Sequence, residues 1–346
     1  MKKLLLTSFT LLLAFYSWAQ GCVAIRNVAG VSPNLLFENI QPNDKLIFSV
    51  TNRYFEASST YKGDKFITDT LVTNKIYTLN ISAVRLLNNG WSVGLSVPIS
   101  ANSRNNGADH MGPGTLPRHT THAFGIGDVR LTVYKWLLDP LVNQKGNIQA
   151  ALGLKLPTGD FRCQDYFYRK QDSTVLAPVD QAIQLGDGGT GITAELSAFY
   201  SFTRRINGFF NGYYLVNPRE QNGVSNLKGR SPGPAQIKNN TTVMSVPDQY
   251  TVRVGANYQF RKMALTAGLR YEKVPENDLV GGNKGFRRAA AISSIESALT
   301  YQMKNTLAFV NIGIPFRRNI KQNAQNDLTP AGFADCIFSL GVQFKR

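Results

Sequence analysis

Apolar and polar residues alternate with a period of two over most of this chain. Trp91, Val93, Leu95, Val97 and Ile99 alternate with Ser92, Gly94, Ser96 and Pro98. Ile192, Ala194, Leu196, Ala198, Tyr200 and Phe202 alternate with Thr193, Glu195, Ser197, Phe199 and Ser201. The same pattern runs through Tyr250–Phe260, Met263–Glu272 and Phe338–Phe344. A period of two places each set on one face of a β-strand. Alternating segments of about ten residues match the length of a transmembrane strand.

Read this way, the chain predicts twelve strands: Lys45–Phe55, Lys75–Leu87, Trp91–Ile99, Gly127–Leu137, Asn147–Leu156, Gly191–Phe202, Gly208–Val216, Gln249–Phe260, Met263–Val274, Ala291–Gln302, Asn305–Ile314 and Gly332–Phe344. The first and seventh alternate poorly. The connections sort into two kinds. Short ones fall at Asn88–Gly90, Asp139–Gly146, Thr203–Asn207, Arg261–Lys262 and around Lys304. Long ones span Glu56–Asn74, Ala101–Ile126, Pro157–Thr190, Asn217–Asp248, Pro275–Ala290 and Pro315–Ala331. Short turns on one side and long loops on the other describe an all-β transmembrane antiparallel barrel of about 12 strands, with periplasmic turns and extracellular loops. A soluble sandwich has no reason to sort its loops. Trp91, Tyr200, Phe202, Tyr258, Phe260, Tyr301 and Phe344 lie near the short-turn ends, where an interfacial aromatic girdle is expected. The last strand, amphipathic with Phe344 near its end, looks like the C-terminal signal of outer-membrane proteins, with Lys345 and Arg346 added.

Residues 1–19 read as a cleaved signal peptide. Lys2 and Lys3 are the charged region, Leu4–Phe15 the apolar core, and Ser17-Trp18-Ala19 the small-residue cleavage site. Cys22 raises a lipoprotein alternative, but a leucine-like residue three positions upstream is missing. Residues 20–44 read as a periplasmic arm or partial plug, and 45–346 as the barrel. No later run of about 18 apolar residues predicts a membrane helix. Export and a barrel place the chain in the cell outer membrane.

The net charge of +16 becomes +14 once Lys2 and Lys3 leave with the signal. The basic residues are scattered and form no dense cluster, which points to anionic lipid head groups of the outer membrane rather than nucleic acid. Cys22, Cys163 and Cys336 allow three choices of one disulfide.

Between Gly125 and Gly191 the chain resembles a family of outer-membrane transporters named for the meta-pathway of phenol degradation. The residues that carry the resemblance are Gly125-Ile126-Gly127-Asp128-Val129, Gly153-Leu154-Lys155-Leu156-Pro157-Thr158-Gly159-Asp160 and Gly186-Asp187-Gly188-Gly189-Thr190-Gly191. The resemblance covers about 80 residues and implies a barrel passing small, often apolar or aromatic, compounds; it implies no ligand residues. In physical terms Pro157 ends a strand, Gly159 supplies a turn, and the later glycines allow a bulge or close backbone approach.

Gly186–Gly191 also fits G-x-G-x-x-G, but a loop precedes it and a strand follows, so a dinucleotide fingerprint is not expected. No cofactor is expected. His110, His119 and His122 share the second long loop as a solvated group or a surface metal site. No histidine is expected on a strand, which argues against the histidine–serine chemistry of an outer-membrane hydrolase. Asp128, Arg130, Lys155, Glu195, Arg253, Arg270, Glu272, Glu296 and Asp335 fall on the polar strand faces and are the candidate lumen-lining residues. In a wide pore they would be solvated; in a narrow barrel they pair across strands. The function expected is passive passage of small compounds. The alternatives are a closed structural or binding barrel presenting its loops and, further off, a hydrolase.

Overall fold

The computed structural model describes residues 20–21, 45–110, 118–170, 172–320 and 331–346. The predicted signal peptide, Cys22 and most of the 20–44 arm lie outside them. Gln20–Gly21 pair in parallel with Ala331–Gly332, which in turn pair with Tyr61 and Thr60 at the long-loop end.

Twelve antiparallel strands close into one barrel: β1 (Leu46–Lys62), β2 (Lys65–Leu86), β3 (Trp91–Asn105), β4 (Thr120–Ile126, resuming as Arg130–Trp136), β5 (Gly146–Lys155), β6 (Gly191–Ser201), β7 (Ile206–Val216), β8 (Gln249–Phe260), β9 (Met263–Val274), β10 (Ala290–Gln302), β11 (Thr306–Ile320) and β12 (Cys336–Lys345). Each strand pairs with its neighbours in sequence. The barrel closes where β12 meets β1, from Cys336↔Glu56 to Lys345↔Ile47. Closure leaves no unpaired edge, which a lipid environment requires. Among the described residues, no helix is long and apolar enough to cross a membrane.

The alternating apolar sets face out. Leu152, Ile192, Val254, Leu265 and Leu269 are each at least half exposed, as lipid-facing residues must be. The seven predicted girdle aromatics are all exposed. Basic side chains sit over three girdle rings, Lys135 on Trp91, Lys145 on Tyr200 and Arg261 on Phe260, as expected where aromatic belts meet head groups.

The strands run further than their alternation predicts. β1 and β2 continue to Lys62 and Lys65 and turn at Gly63, which has φ 62°, so the first long connection is an extended hairpin. Glu56 and Lys75 share the outward parity of Tyr54 and Tyr77 and face each other across the ladder. Beyond the lipid band, outward residues need not be apolar, and the period dissolves. Likewise Thr120–Ile126 is strand within the second long connection.

The weak alternation of β1 and β7 has a cause inside the barrel. Phe55 on β1, and Phe209, Tyr213 and Leu215 on β7, are buried on the inward face, so apolar residues stand on both faces. The core is the barrel interior. Phe55, Ile76, Ala123, Ile292, Ile320 and Ile337 there pack against Val179, Ile183 and Leu185. Those last three belong to the long β5–β6 connection, which therefore folds inward.

Candidate functional site

The three motifs that carry the family resemblance meet at one place, the interruption of β4. Gly127-Asp128-Val129 leaves the regular ladder, keeping bonds from Gly127 N–H to Pro98 O and from Leu156 N–H to Val129 O, both at 2.8 Å. The hydroxyl of Thr158, from Leu-Pro-Thr-Gly-Asp, replaces the missing pairing. It accepts from Val129 N–H and donates to Gly127 O, both at 2.9 Å. The Asp128 carboxylate accepts from Gly159 N–H at 3.0 Å and Asp187 N–H at 3.3 Å. Gly159 and Gly186 touch backbone to backbone: a Cβ on Gly186 would lie 2.6 Å from Gly159 O and 2.5 Å from Asp128 Oδ1. Only glycine permits that approach. Lys155, at the end of β5, pairs with Asp187 and lies 3.4 Å from Asp128.

From this knot the segment Val179–Leu185 enters the barrel. Its apolar residues bury against the wall, and Asp180, 1% exposed, is held by ions. Arg288 pairs with one Asp180 oxygen. Lys228 lies 3.1 Å and Arg104 3.7 Å from the other. Arg104 also binds Asp109 at 2.8 Å, and Lys228 reaches Asp109 at 3.1 Å. Burial alone would raise the Asp180 carboxyl, but Arg104, Arg288 and Lys228 outweigh it and hold it well below the usual carboxylate range. The cluster ties together β3 and the β5–β6, β7–β8 and β9–β10 connections. Its carboxylates lie on loops, where strand parity carries no signal.

Between the inward segment and the barrel wall lies a cavity of ≈ 1080 Å³, counting the space that opens to solvent. Pro98, Leu185, Leu215, Met244 and Val274 give it apolar surface; Asp128, Arg130 and Lys155 give it charge. It runs from the β4 interruption to β7, β8 and β9 on the other side.

The predicted charged residues occupy four places. Asp128, Arg130 and Lys155 line the cavity, with the Arg130 guanidinium 5.8 Å from the Tyr213 ring centre. Arg253, Arg270, Glu272 and Glu296 form a buried chain across β8, β9 and β10, on the short-turn side of the cavity residues Gln249 and Val274. Arg253 binds Glu296 at 2.6 Å; Arg270 binds Glu272 at 2.7 Å and lies 3.4 Å from Glu296. Glu195 is half-buried on β6, opposite Ala151 of β5 and Tyr213 of β7. Asp335 lies apart from both groups, just ahead of β12. Its carboxylate accepts from Ser58 N–H at 2.8 Å, Ser58 hydroxyl at 2.7 Å and Ser59 N–H at 3.3 Å, so it anchors the extension of β1.

Two of the histidines stay together, the rings of His110 and His119 lying 5.3 Å apart. His122 lies on a strand, Thr120–Ile126, contrary to expectation, because that strand extends into the presumed loop. Its side chain is 67% exposed. His119 stacks on Tyr168 at 3.7 Å. His110 accepts from Tyr168 N–H at 3.2 Å. Burial pushes the His110 imidazole down to about 4, with Asp109 opposing it and His119, Arg169 and Arg230 adding to the effect. No group of three or more His, Cys, Asp or Glu that could hold a metal occurs among the described residues. Cys163 and Cys336 are both free thiols.

A closed barrel of twelve antiparallel strands, with apolar outward faces and an interfacial aromatic girdle, is a β-barrel of the outer-membrane class. The fold is similar to that of a crystallised outer membrane channel from Pseudomonas putida F1, with a TM-score of 0.62 and 14% identity, covering 91% of this chain and 100% of that one. More distant similarity is found to the β domain of the Bordetella autotransporter Brka, with a TM-score of 0.46 and 10% identity, covering 88% and 100%. It extends to the monoaromatic hydrocarbon channel CymD, with a TM-score of 0.42 and 11% identity, covering 96% and 99%. No protein-family model and no curated protein sequence matches the chain, so the resemblance to the phenol meta-pathway transporters rests on the motifs themselves.

Proposed function

We propose that this protein is a passive outer-membrane channel for small apolar or aromatic compounds, exported with a cleaved leader. The observation that carries the reading is the cavity inside the barrel. It combines apolar walls with a few fixed polar groups, the usual make-up of a small-molecule site, and it is roofed by a loop segment rather than sealed by strand side chains. The resemblance of the motifs at the β4 interruption to the phenol meta-pathway transporters supports the same solute class, and the structural similarity to an outer membrane channel is in keeping with it. Nothing in the site arranges a nucleophile beside a base, so we propose transport rather than hydrolysis.

A second reading is a closed barrel that presents its loops to a partner. The Arg253–Glu296–Arg270–Glu272 chain favours it, since paired buried charges fill the lumen side of three adjacent strands.

Single-channel conductance of the refolded mature protein decides between them, recorded with and without residues 20–44 and paired with uptake of aromatic solutes into proteoliposomes. Conductance or solute uptake is expected. Their absence from a barrel shown to be folded by heat-modifiable gel mobility would establish the closed reading.

A further inference from the structure

We infer that the lumenal cavity selects small aromatic or apolar anions, with the carboxylate of the solute held by Arg130. The inference rests on the channel reading for its route but on separate observations for its chemistry. Each other cation lining the cavity has a carboxylate partner. Lys155 faces Asp128 and Asp187, and Arg288 faces Asp180. Arg130 lines the same cavity, and no carboxylate pairs with it among the described residues. Its Nε is buried with no hydrogen-bond partner. An unpaired buried donor is costly, and on a guanidinium it is one arm of a fork shaped for a carboxylate.

The surroundings add to this. Tyr213 supports the guanidinium from one side, its ring centre 5.8 Å away. Pro98 and Val274, half-buried on the cavity wall, offer apolar surface for the rest of a solute. The loops above are rich in positive charge: Arg104, Lys228 and Arg288 gather around Asp109 and Asp180. Arg169 and Arg230, which both bind the His110 carbonyl, lie beside them. A field of that sign concentrates anions at the entrance and repels cations.

The test is calorimetric titration of the detergent-solubilised mature protein at pH 7.5 with benzoate and, in parallel, benzyltrimethylammonium. Benzoate is expected to bind and the cation not. Arg130→Gln is expected to weaken benzoate at least about tenfold, and Arg130→Lys by less. Arg130→Glu is expected to reverse the preference, a gain that a misfolded variant would not show. Benzoate affinity unchanged in a folded Arg130→Gln barrel, or no benzoate binding by the parent protein, overturns the inference. Conductance separates this from the channel reading. A conducting barrel with Arg130-independent benzoate binding keeps the channel and overturns the anchor. A silent, impermeable barrel with Arg130-dependent binding does the opposite.

Discussion

Lys228 Nζ lies 3.1 Å from Asp180 Oδ2, joining two loops that leave different walls of the barrel. Arg104 and Arg288 converge on the same carboxylate. Asp180, together with Asp109, therefore compensates three buried cations while its neighbours Val179 and Ile183 fill the interior. Asp180→Asn leaves Asp109 as the one carboxylate of the cluster facing three cations, and removing one partner of a buried ion pair costs about 3–5 kcal/mol. The inward segment is expected to detach, raising conductance and protease sensitivity of the β5–β6 loop, while heat-modifiable gel mobility still reports a barrel. An unchanged conductance trace would show that the segment does not gate the lumen.

The knot at the β4 interruption depends on close backbone contact. Gly186→Ala places a Cβ 2.6 Å from Gly159 O and 2.5 Å from Asp128 Oδ1, and overpacking of this kind costs about 1–3 kcal/mol. Gly223→Ala is the control. Gly223 has φ +80° but open space around its Cβ position, so only the left-handed backbone term of about 1–2 kcal/mol applies. Hydrogen exchange of the Val129 and Gly159 amides should quicken in Gly186→Ala and stay unchanged in Gly223→Ala.

The barrel was legible because lipid imposes a strict rule on one face. Trp91-Val93-Leu95 and Val252-Val254-Ala256 repeat at period two whatever lies inside. The interior obeys packing rather than polarity, so Phe209 and Tyr213 blur β7 and hide its lumen face. Lys155 and Arg253 were legible as inward-facing charges from parity, which left open whether they are solvated or paired. Asp180, Asp109 and Lys228 were not, because a loop carries no parity and their partners lie far away in sequence. The motifs around Asp128, Thr158 and Gly186 stood out as glycine-rich strand ends. Their meeting at one interruption follows from β4 and β5 being neighbours, which spacing alone does not disclose.

Glu296 bridges Arg253 and Arg270 within the barrel. Removing its charge leaves Glu272 as the one carboxylate of the chain facing two guanidinium groups, whereas replacing the members of the chain together removes the desolvation cost as well. Glu296→Gln is expected to lose about 3–5 kcal/mol of folding stability. The combined Arg253→Met, Arg270→Met, Glu272→Leu and Glu296→Leu variant should lose less. Urea unfolding in bilayers, followed by tryptophan fluorescence, measures both. Equal losses would mean that the chain is solvated, as in a wide pore.

The loops should respond to acid through His110 and not through Asp180. Tyr168 N–H donates to His110 Nδ1, a bond that needs a neutral imidazole. Burial lowers His110 from 6.5 to about 4 in the folded loop. The unfolded loop therefore takes up a proton first as pH falls below about 6.5, and the folded loop refuses it until about 4. Loop stability is complete above pH 6.5 and declines across that window. Asp180 behaves otherwise. Its carboxyl is held below the usual range, so its contribution is present above an unfolded value of about 3.9 and is lost only as pH falls further, through the depressed folded value. Between pH 6.5 and 4.5 the Tyr168 amide should exchange faster, after correction for intrinsic rates, while conductance stays flat. His110→Asn should abolish that pH dependence. If instead conductance rises in the same window and His110→Asn leaves the rise intact, the acid response belongs to another group and the assignment to His110 fails.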